Sequence, residues 1–220
     1  MTIDTTPIAA PAALPIDTIS TEPPPSRTPP RFDLTFHSSL APWNKSVLQW
    51  GIDNDKHFDG LAVGAHVYDA DNRLLLVQRA AHDSMPNRWE APGGAADATD
   101  STLFEATARE LWEETGLVAR DLKRIIPEAE GRAPGSVFTN RTGRKILCRF
   151  SFEVEVQSCE GVRIDPEEHQ DYLWVTEEEA RAEKVGEREI PITNQIMRSV
   201  ILEGFRLRRL AAESKDAVIT

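Results

Sequence analysis

The sequence predicts an α+β domain in which helices pack on a mixed β-sheet. Short stretches rich in valine and aromatic residues are interspersed with stretches of helical periodicity, without the regular strand–helix–strand order of a parallel sheet. Of the 220 residues, 40% are hydrophobic and 28% are charged, as is usual for one globular domain with tails. The clearest single element is a helix that ends at Gly116.

The N-terminal end of the chain differs in composition from the centre. Residues 1–31 are rich in proline, which disfavours helices and internal strands, and they contain few large apolar side chains. We therefore expect a disordered tail over residues 1–31 and a folded domain over residues 32–213. A short flexible C-terminal tail is expected over residues 214–220.

Strand signals occur in three parts of the centre. Residues 61–68 and 73–79 are mainly apolar and flank a turn-forming Asp-Ala-Asp-Asn sequence, which predicts a hairpin. A second hairpin is predicted with strands at residues 136–140 and 145–157, since apolar side chains alternate along the second strand. Residues 171–175 predict a further short strand.

Three helices are predicted, and each has a capping residue at its start. The first begins near Thr102, which fits a capping box with Glu105, and Gly116 provides the left-handed residue that ends it. A short helix over residues 176–183 and a long helix over residues 192–213 follow.

The first helix has one apolar side and one acidic side. Phe104 and Leu111 share a face at a spacing of seven residues. Glu110, Glu113 and Glu114 lie on the opposite side, where three like charges at these spacings repel each other. Hard divalent cations such as Mg²⁺ prefer carboxylate oxygens, so the pattern indicates a metal site facing a cleft. The simpler alternative is an amphipathic helix with a solvated acidic side.

The segment around this helix resembles the Nudix box, the sequence signature of a family of hydrolases. The residues Arg-Glu-Leu-Trp-Glu-Glu-Thr-Gly-Leu at positions 109–117 match the family pattern completely. Upstream the match is incomplete, because Ser101 stands where the pattern has a Glu, and the distance from Gly94 to Arg109 is one residue longer. The candidates to replace that Glu are Asp97, Asp100 and Glu105.

The resemblance carries expectations for the fold, the reaction and the site. It implies an α/β/α sandwich with a mixed β-sheet, and hydrolysis of the diphosphate linkage in a nucleoside diphosphate joined to another group. It also implies a divalent cation, Mg²⁺ or Mn²⁺. The groups assigned to the cation are Glu110, Glu113, Glu114 and the carbonyl of Gly93. The expected catalytic residues are Glu113, Glu114, Arg109 and Glu168. Which glutamate is the general base stays open.

Two arginines and a glycine before the helix are candidates for substrate binding. Arg79 and Arg88 flank the loop that leads to the box, and a guanidinium group offers a planar set of donors for phosphate. Gly94 belongs to a Gly-Gly turn that lets the backbone approach a ligand closely. A solvated surface position is the alternative for both arginines, as it is for Glu168.

Charge and cysteine content restrict the partners and the compartment. The formal net charge of −11 argues against binding of a nucleic-acid polymer, which needs a clustered basic surface, but it allows a small diphosphate substrate. The sequence contains no apolar run long enough to span a membrane and no secretory signal. Cys148 and Cys159 are the only cysteines, so free thiols in the cytoplasm are expected. A homodimer is a further expectation, because dimers are common in the family.

Two other functions stay open at the level of sequence. A Nudix-fold protein that binds a ligand or a partner without hydrolysis would explain why Ser101 replaces the Glu of the box. An enzyme acting on a non-nucleotide substrate, such as a prenyl diphosphate, would carry the same box, because substrate choice lies in loops outside it.

Overall fold

The computed structural model describes residues 28–55, 58–140 and 142–219, with side chains up to residue 214. Within these residues the strands form a five-stranded mixed sheet, a three-stranded antiparallel sheet and a two-stranded ribbon. The strands are β1 Thr35–Phe36, β2 Gly60–His66, β3 Leu74–Arg79, β4 Trp89–Glu90, β5 Ala119–Ile126, β6 Ser136–Thr139, β7 Ile146–Val156, β8 His169–Val175, β9 Lys184–Val185 and β10 Arg188–Glu189. The helices are a 3₁₀ helix at Ser38–Trp43, α1 Val47–Asn54, α2 Leu103–Thr115, α3 Glu177–Ala182 and α4 Gln195–Ile219.

The first predicted hairpin is wrong except at its turn. Strand β2 pairs in parallel with β7, whereas β3 pairs antiparallel with β4 and β8, so the two strands belong to different sheets. They meet only where Tyr68 bridges Leu74. The side chains from Leu61 to His66 are all buried, a pattern typical of a strand covered on both faces and not of a half-exposed hairpin strand.

The second predicted hairpin is confirmed, since β6 and β7 pair antiparallel around the turn. Strand β5 also pairs antiparallel with β7, and β1 adds to β5 in parallel. Neither β1 nor β5 was predicted from the sequence. The short strand at residues 171–175 is confirmed as part of β8, and α3 begins after the predicted cap, Thr176, which forms a capping box with Glu179.

Helix α2 forms as its sequence pattern predicts. Thr102 caps it by accepting a hydrogen bond from the backbone N–H of Glu105, and Gly116 ends it in the left-handed conformation at φ 71°. The Glu105 carboxylate accepts a hydrogen bond from the backbone N–H of Ser101, so the second half of the expected capping box is displaced by one residue. The apolar side of α2 is buried against the five-stranded sheet.

Two apolar cores lie on the two sides of the sheet region. One contains Phe104 of α2 against Phe152 of β7, with ring centroids 5.5 Å apart. The other places Phe205 of α4 against Leu74 and Trp89 of the three-stranded sheet. Helices thus cover the sheets from both sides, which confirms the predicted α+β fold with its α/β/α arrangement.

The ends of the chain add two observations. Helix α4 continues to Ile219, beyond the predicted boundary at residue 213, because residues 205–214 contain no glycine or proline that would end it. The expected tail over residues 1–31 lies outside the described residues except for residues 28–31. Every helix in the described part of the chain is too short or too polar to cross a lipid bilayer.

Candidate active site

The acidic side of α2 lines a cleft of about 480 Å³. A loop after β4 contributes Gly93 and Gly94, and a loop before β8 contributes Glu167 and Glu168. Five carboxylates and one arginine lie in the lining, so the cleft is strongly acidic. The acidic residues are Asp83, Glu110, Glu114, Glu167 and Glu168, and the arginine is Arg79.

Glu114 is the most buried acid of the cleft, with only 4% of its surface exposed. Its Oε2 accepts a hydrogen bond from the backbone N–H of Gly93 at 2.7 Å. Burial is the main cause that raises the pKa of Glu114 to about 8, and the opposing effects of His169 and of the Gly93 amide are smaller. The carboxylate therefore lies in surroundings where a bound cation would stabilise its ionised form.

Glu110 lies beside Glu114 and is also largely buried. Burial raises the pKa of Glu110 to about 7, although the guanidinium of Arg109 acts in the opposite direction. The carboxylate lies directly over Gly94, where an added Cβ would come within 2.5 Å of Oε2. At Gly93, which has φ 138°, an added Cβ would lie 2.2 Å from the carbonyl oxygen of Val63. Gly93 is therefore required by its close approach to backbone, whereas a Cβ at Gly94 would displace the Glu110 carboxylate.

Arg109 connects the acidic side of α2 to the preceding loop. Its Nε and Nη2 donate hydrogen bonds to the two carboxylate oxygens of Asp100, each at 2.9 Å. Its Nη1 donates to Glu110 at 2.8 Å and to Glu113 at 2.9 Å. The hydrogen bonds to Asp100 are the largest of the causes that raise the pKa of Arg109. The guanidinium thus holds the carboxylates of α2 against a fixed acidic partner.

Of the three candidates for the missing acid of the box, Asp100 is the one that is buried against Arg109. It is 6% exposed and forms the two-bond pair with Arg109. Asp97 is 3.8 Å from Arg109, and its side chain is mostly exposed. Glu105 instead binds the backbone of Ser101. Among the three candidates, only Asp100 has both the burial and the geometry of a paired carboxylate.

Glu90 interacts with two charged residues of the cleft lining, Arg79 and His169. Glu90 is buried, pairs with Arg79 and has an oxygen 3.9 Å from Nε2 of His169. Burial acts to raise the pKa of Glu90, but His169, Arg149 and Arg79 outweigh it and the pKa is lowered. Burial likewise acts to lower the pKa of His169, but Glu90 and Glu114 outweigh it and the pKa is raised.

His169 also belongs to the group of side chains best placed to hold a metal ion. Ligand atoms of Glu114, Glu168 and His169 all lie within 4.8 Å of one another. The Nδ1 atom of His169 is buried, with no hydrogen-bond partner among the described residues. Sequence reasoning did not select His169, because a single histidine beside a strand is usually structural. Its position next to Glu168, an expected catalytic acid, was the available signal.

The structure brings together most of the predicted site residues, but not all. The cleft is lined by Glu110, Glu114, Glu168, Gly93, Gly94 and Arg79. Glu113 is 43% exposed on its side chain, lies outside that lining and is joined to the site through Arg109. Arg88 is exposed and also lies outside the lining.

Arg79 lies at the edge of the cleft, with most of its hydrogen-bond donors already in use. Its Nε donates to the carbonyl oxygen of Ser84 at 2.7 Å, and its two Nη groups pair with Glu90 and Asp83. A phosphate group would have to compete with these partners. Arg79 therefore holds the loop and Glu90 in place and leaves few donors free for a phosphate group.

An apolar cavity of about 600 Å³ adjoins the acidic cleft, and Arg79 lines both. The ion pair between Arg79 and Glu90 lies where the two spaces meet. The apolar lining consists of Met85, Phe138, Leu147, Ile196, Met197 and Val200. The neutral polar lining consists of Ser84, Ser136, Thr139, Asn140, Ser151 and Asn194, and the charged lining consists of Arg79, Glu90 and Arg149. A cavity of this size, with a mainly apolar lining and a few polar groups, suits an organic group.

The α/β/α fold thus places a Gly-Gly loop and an acidic helix in one cleft. The model of the NUDIX domain matches residues 59–196, more than half of the chain. The protein belongs to the Nudix family. The predicted family is confirmed.

Similarity to curated relatives is local. Phosphatase NudJ of Escherichia coli (strain K12) is 43% identical over 56 residues, which cover 26% of this chain and 35% of that protein. Phosphatase NudJ of Shigella flexneri matches to the same extent, with 43% identity over 56 residues. The chain therefore spans about a third of the length of the curated relatives that it matches.

Two solved structures share the fold. The MutT protein from Methanosarcina mazei Go1 has a TM-score of 0.50 at 24% identity, covering 68% of this chain and 94% of that one. The NUDIX domain of Shewanella oneidensis NrtR, solved in complex with ADP ribose, has a TM-score of 0.50 at 19% identity, covering 71% and 92% of the two chains. At these identities the similarity concerns the fold alone.

Proposed function

We propose that the protein is a hydrolase that uses a divalent cation, Mg²⁺ or Mn²⁺, to cleave the diphosphate linkage of a nucleoside diphosphate joined to another group. The observation that carries the proposal is the pair of largely buried carboxylates, Glu110 and Glu114, in a cleft with Glu168 and His169. Buried acids without a cation cost free energy, so their presence supports a site for a positively charged ligand.

The cation would be held by Glu110, Glu114 and Glu168, with Gly93 in the adjoining loop. The donor set fits a hard divalent ion, because it consists mainly of carboxylate oxygens and includes a close group of three ligand side chains. When bound, such an ion neutralises phosphoryl oxygens and lowers the pKa of a water ligand. His169 adds a nitrogen donor, which Mn²⁺ accepts more readily than Mg²⁺.

The protein side chains would divide the remaining work. Arg109, fixed by Asp100, would orient Glu110 and Glu113, and Glu113 would act through this contact. Glu114 would be oriented by the Gly93 amide. Glu168 is our candidate for the general base, through the carboxylate oxygen that does not hold the cation, because it is an exposed carboxylate in the cleft lining and can reach solvent.

The adjoining cavity supports a nucleoside over a prenyl group. It offers serine, threonine and asparagine side chains among the apolar ones. A hydrocarbon chain would leave these polar groups without partners, whereas a nucleoside can hydrogen-bond to them. Because Arg79 lines both spaces, we infer that one substrate would place its diphosphate in the cleft and its nucleoside in the cavity.

The test is turnover on a panel of substrates with Mg²⁺ or Mn²⁺. The panel contains ADP-ribose, NADH, dinucleoside polyphosphates, coenzyme A, nucleoside triphosphates and prenyl diphosphates. We expect release of phosphate or nucleoside monophosphate from at least one nucleotide, loss of activity in EDTA, and strong loss in Glu114→Gln and Glu168→Gln. The exposed Glu130 provides the control variant Glu130→Gln, which should keep full activity. Metal binding without any turnover would favour a ligand-binding protein, and absence of both would refute the proposal.

A further inference from the structure

The loop that joins β3 to β4 borders both the acidic cleft and the apolar cavity. His82 and Asp83 line the cleft, whereas Ser84 and Met85 line the cavity. Met85 is 50% exposed, although it is a large apolar residue. Because Met85 lines the cavity and is half exposed, its side chain lies at the rim of the cavity.

Met85 also has an unusual backbone conformation. Its φ of 54° lies in the left-handed region, which side chains other than glycine, asparagine and aspartate rarely adopt. A glycine would adopt this conformation without strain, and a polar residue would be easier to expose to water. A methionine at this position is therefore unfavourable for folding on two independent grounds, and such positions cluster at ligand-binding sites.

Neighbouring side chains hold the loop in this conformation. Nε of Arg79 donates to the carbonyl oxygen of Ser84, the residue before Met85, at 2.7 Å. Gln78 donates to the carbonyl oxygen of Asn87 at 3.0 Å, and Gln170 donates to the Asn87 side chain at 2.7 Å. The hydrogen bonds on both sides of Met85 fix its place at the rim, so the loop has the character of a preformed binding element.

We infer that Met85 is a specificity residue that packs against the uncharged heterocyclic base of the substrate in the apolar cavity. The inference rests on the proposed function, which places the diphosphate in the adjoining cleft. The thioether of methionine is polarisable and packs well against aromatic rings. Phe138 and Met197 line the same cavity, and Asn140 and Asn194 offer neutral donors and acceptors for the edge of a base.

The test compares two kinds of probe, which differ only in whether they carry a nucleoside. The first set consists of the α,β-methylene diphosphates of adenosine, guanosine and uridine, which resist hydrolysis. The second probe is methylenediphosphonate, which has the phosphonates and no base. Binding of each probe to the full chain is measured by calorimetry in Mg²⁺. We expect Met85→Ala to lower the affinity for the preferred nucleotide analogue by roughly 5- to 30-fold, because apolar contact is lost. The affinity for methylenediphosphonate should not change.

Three further variants separate base binding from a structural role. Met85→Leu should keep the affinity for the base within about 3-fold, because volume and apolarity are retained. Met85→Gly should raise the midpoint of thermal unfolding while it weakens the nucleotide analogue, since it removes strain and side chain together. Leu48→Ala is the control, because it shortens another apolar side chain, in a residue that is 73% exposed. It should change neither the midpoint of thermal unfolding nor the affinity for the nucleotide analogue.

The possible failures are distinguishable. If methylenediphosphonate binds and no nucleotide analogue binds more tightly, the diphosphate site stands and our inference about Met85 is overturned. If Met85→Ala weakens both kinds of probe equally, Met85 acts on the cleft and not on the base, which also overturns it. If no probe binds in Mg²⁺ and the substrate panel shows no turnover, the proposed function itself fails.

Discussion

Replacement of Glu114 by glutamine should stabilise the metal-free protein, and the effect should grow with pH. The pKa of Glu114 is raised from the ordinary value of 4.5 to about 8 in the folded protein. Between these two values the folded state binds more protons than the unfolded state, so stability is lost as pH rises through this window. Glutamine stays neutral and keeps an oxygen that can accept the hydrogen bond from Gly93, so this loss is absent in the variant.

The expected size follows from the raised pKa. At about 1.4 kcal/mol per pKa unit, a rise in the pKa from 4.5 to about 8 corresponds to roughly 4–5 kcal/mol of lost stability at pH 8.5. At pH 5.5 only about 1 kcal/mol of this has developed, so the difference between variant and wild type should widen by roughly 3 kcal/mol between the two pH values. Mn²⁺ should reduce the difference at pH 8.5, because it binds the folded wild type.

The assay is urea unfolding followed by tryptophan fluorescence at pH 5.5, 7 and 8.5, at constant ionic strength and in EDTA. Glu113→Gln is the matched control on the same helix, and it should change the free energy of unfolding by less than about 1 kcal/mol because Glu113 is an exposed ion-pair partner. The reasoning is refuted if Glu114→Gln is less stable than the wild type at pH 8.5, or if the difference does not widen with pH.

The remaining predictions concern the two halves of the box. Asp100→Asn should cost about 2–3 kcal/mol in urea unfolding and lower kcat more than it raises KM, because Arg109 loses a buried charged partner. Ser101→Glu should bring no gain in kcat, since Asp100 already pairs with Arg109, and a large gain would contradict that pairing. Gly94→Ala should weaken Mn²⁺ binding with little change in unfolding, because the added Cβ meets only the carboxylate end of the Glu110 side chain and no backbone. Gly93→Ala should instead destabilise the whole fold, because its Cβ meets backbone.

The local features of the site could be predicted from the sequence. The order of residues in α2 determines which side chains share a face, so the burial of Phe104 and Leu111 and the acidic side were accessible from periodicity. The cap at Thr102 and the stop at Gly116 depend equally on near neighbours. These parts need no knowledge of the rest of the fold.

The contacts of Glu90 with Arg79 and His169 could not be predicted, because they depend on strand pairing between distant segments. The register of β3 with β8 places Arg79 opposite His169, with an irregularity after Gln78, and the register of β3 with β4 places Glu90 opposite Val77. The prediction of a hairpin between residues 61–68 and 73–79 failed for the same reason, because β2 pairs with β7, far along the chain, and not with the adjacent strand β3. Asp100 could not be chosen over Asp97 and Glu105 without the path of the loop.

The acidity of the cleft has a consequence for the order of addition in the proposed reaction. Five carboxylates and a single arginine line it, and that arginine is already paired with Glu90 and Asp83. Above pH 8, where Glu110 and Glu114 are ionised as well, a diphosphate arriving alone meets an electrostatic potential of its own sign, and repulsion slows its entry. A diphosphate that enters after the cation, or as a complex with it, meets a neutralised surface. If the proposed reaction is correct, we expect the protein to distinguish metal-loaded from metal-free substrate before any bond is broken.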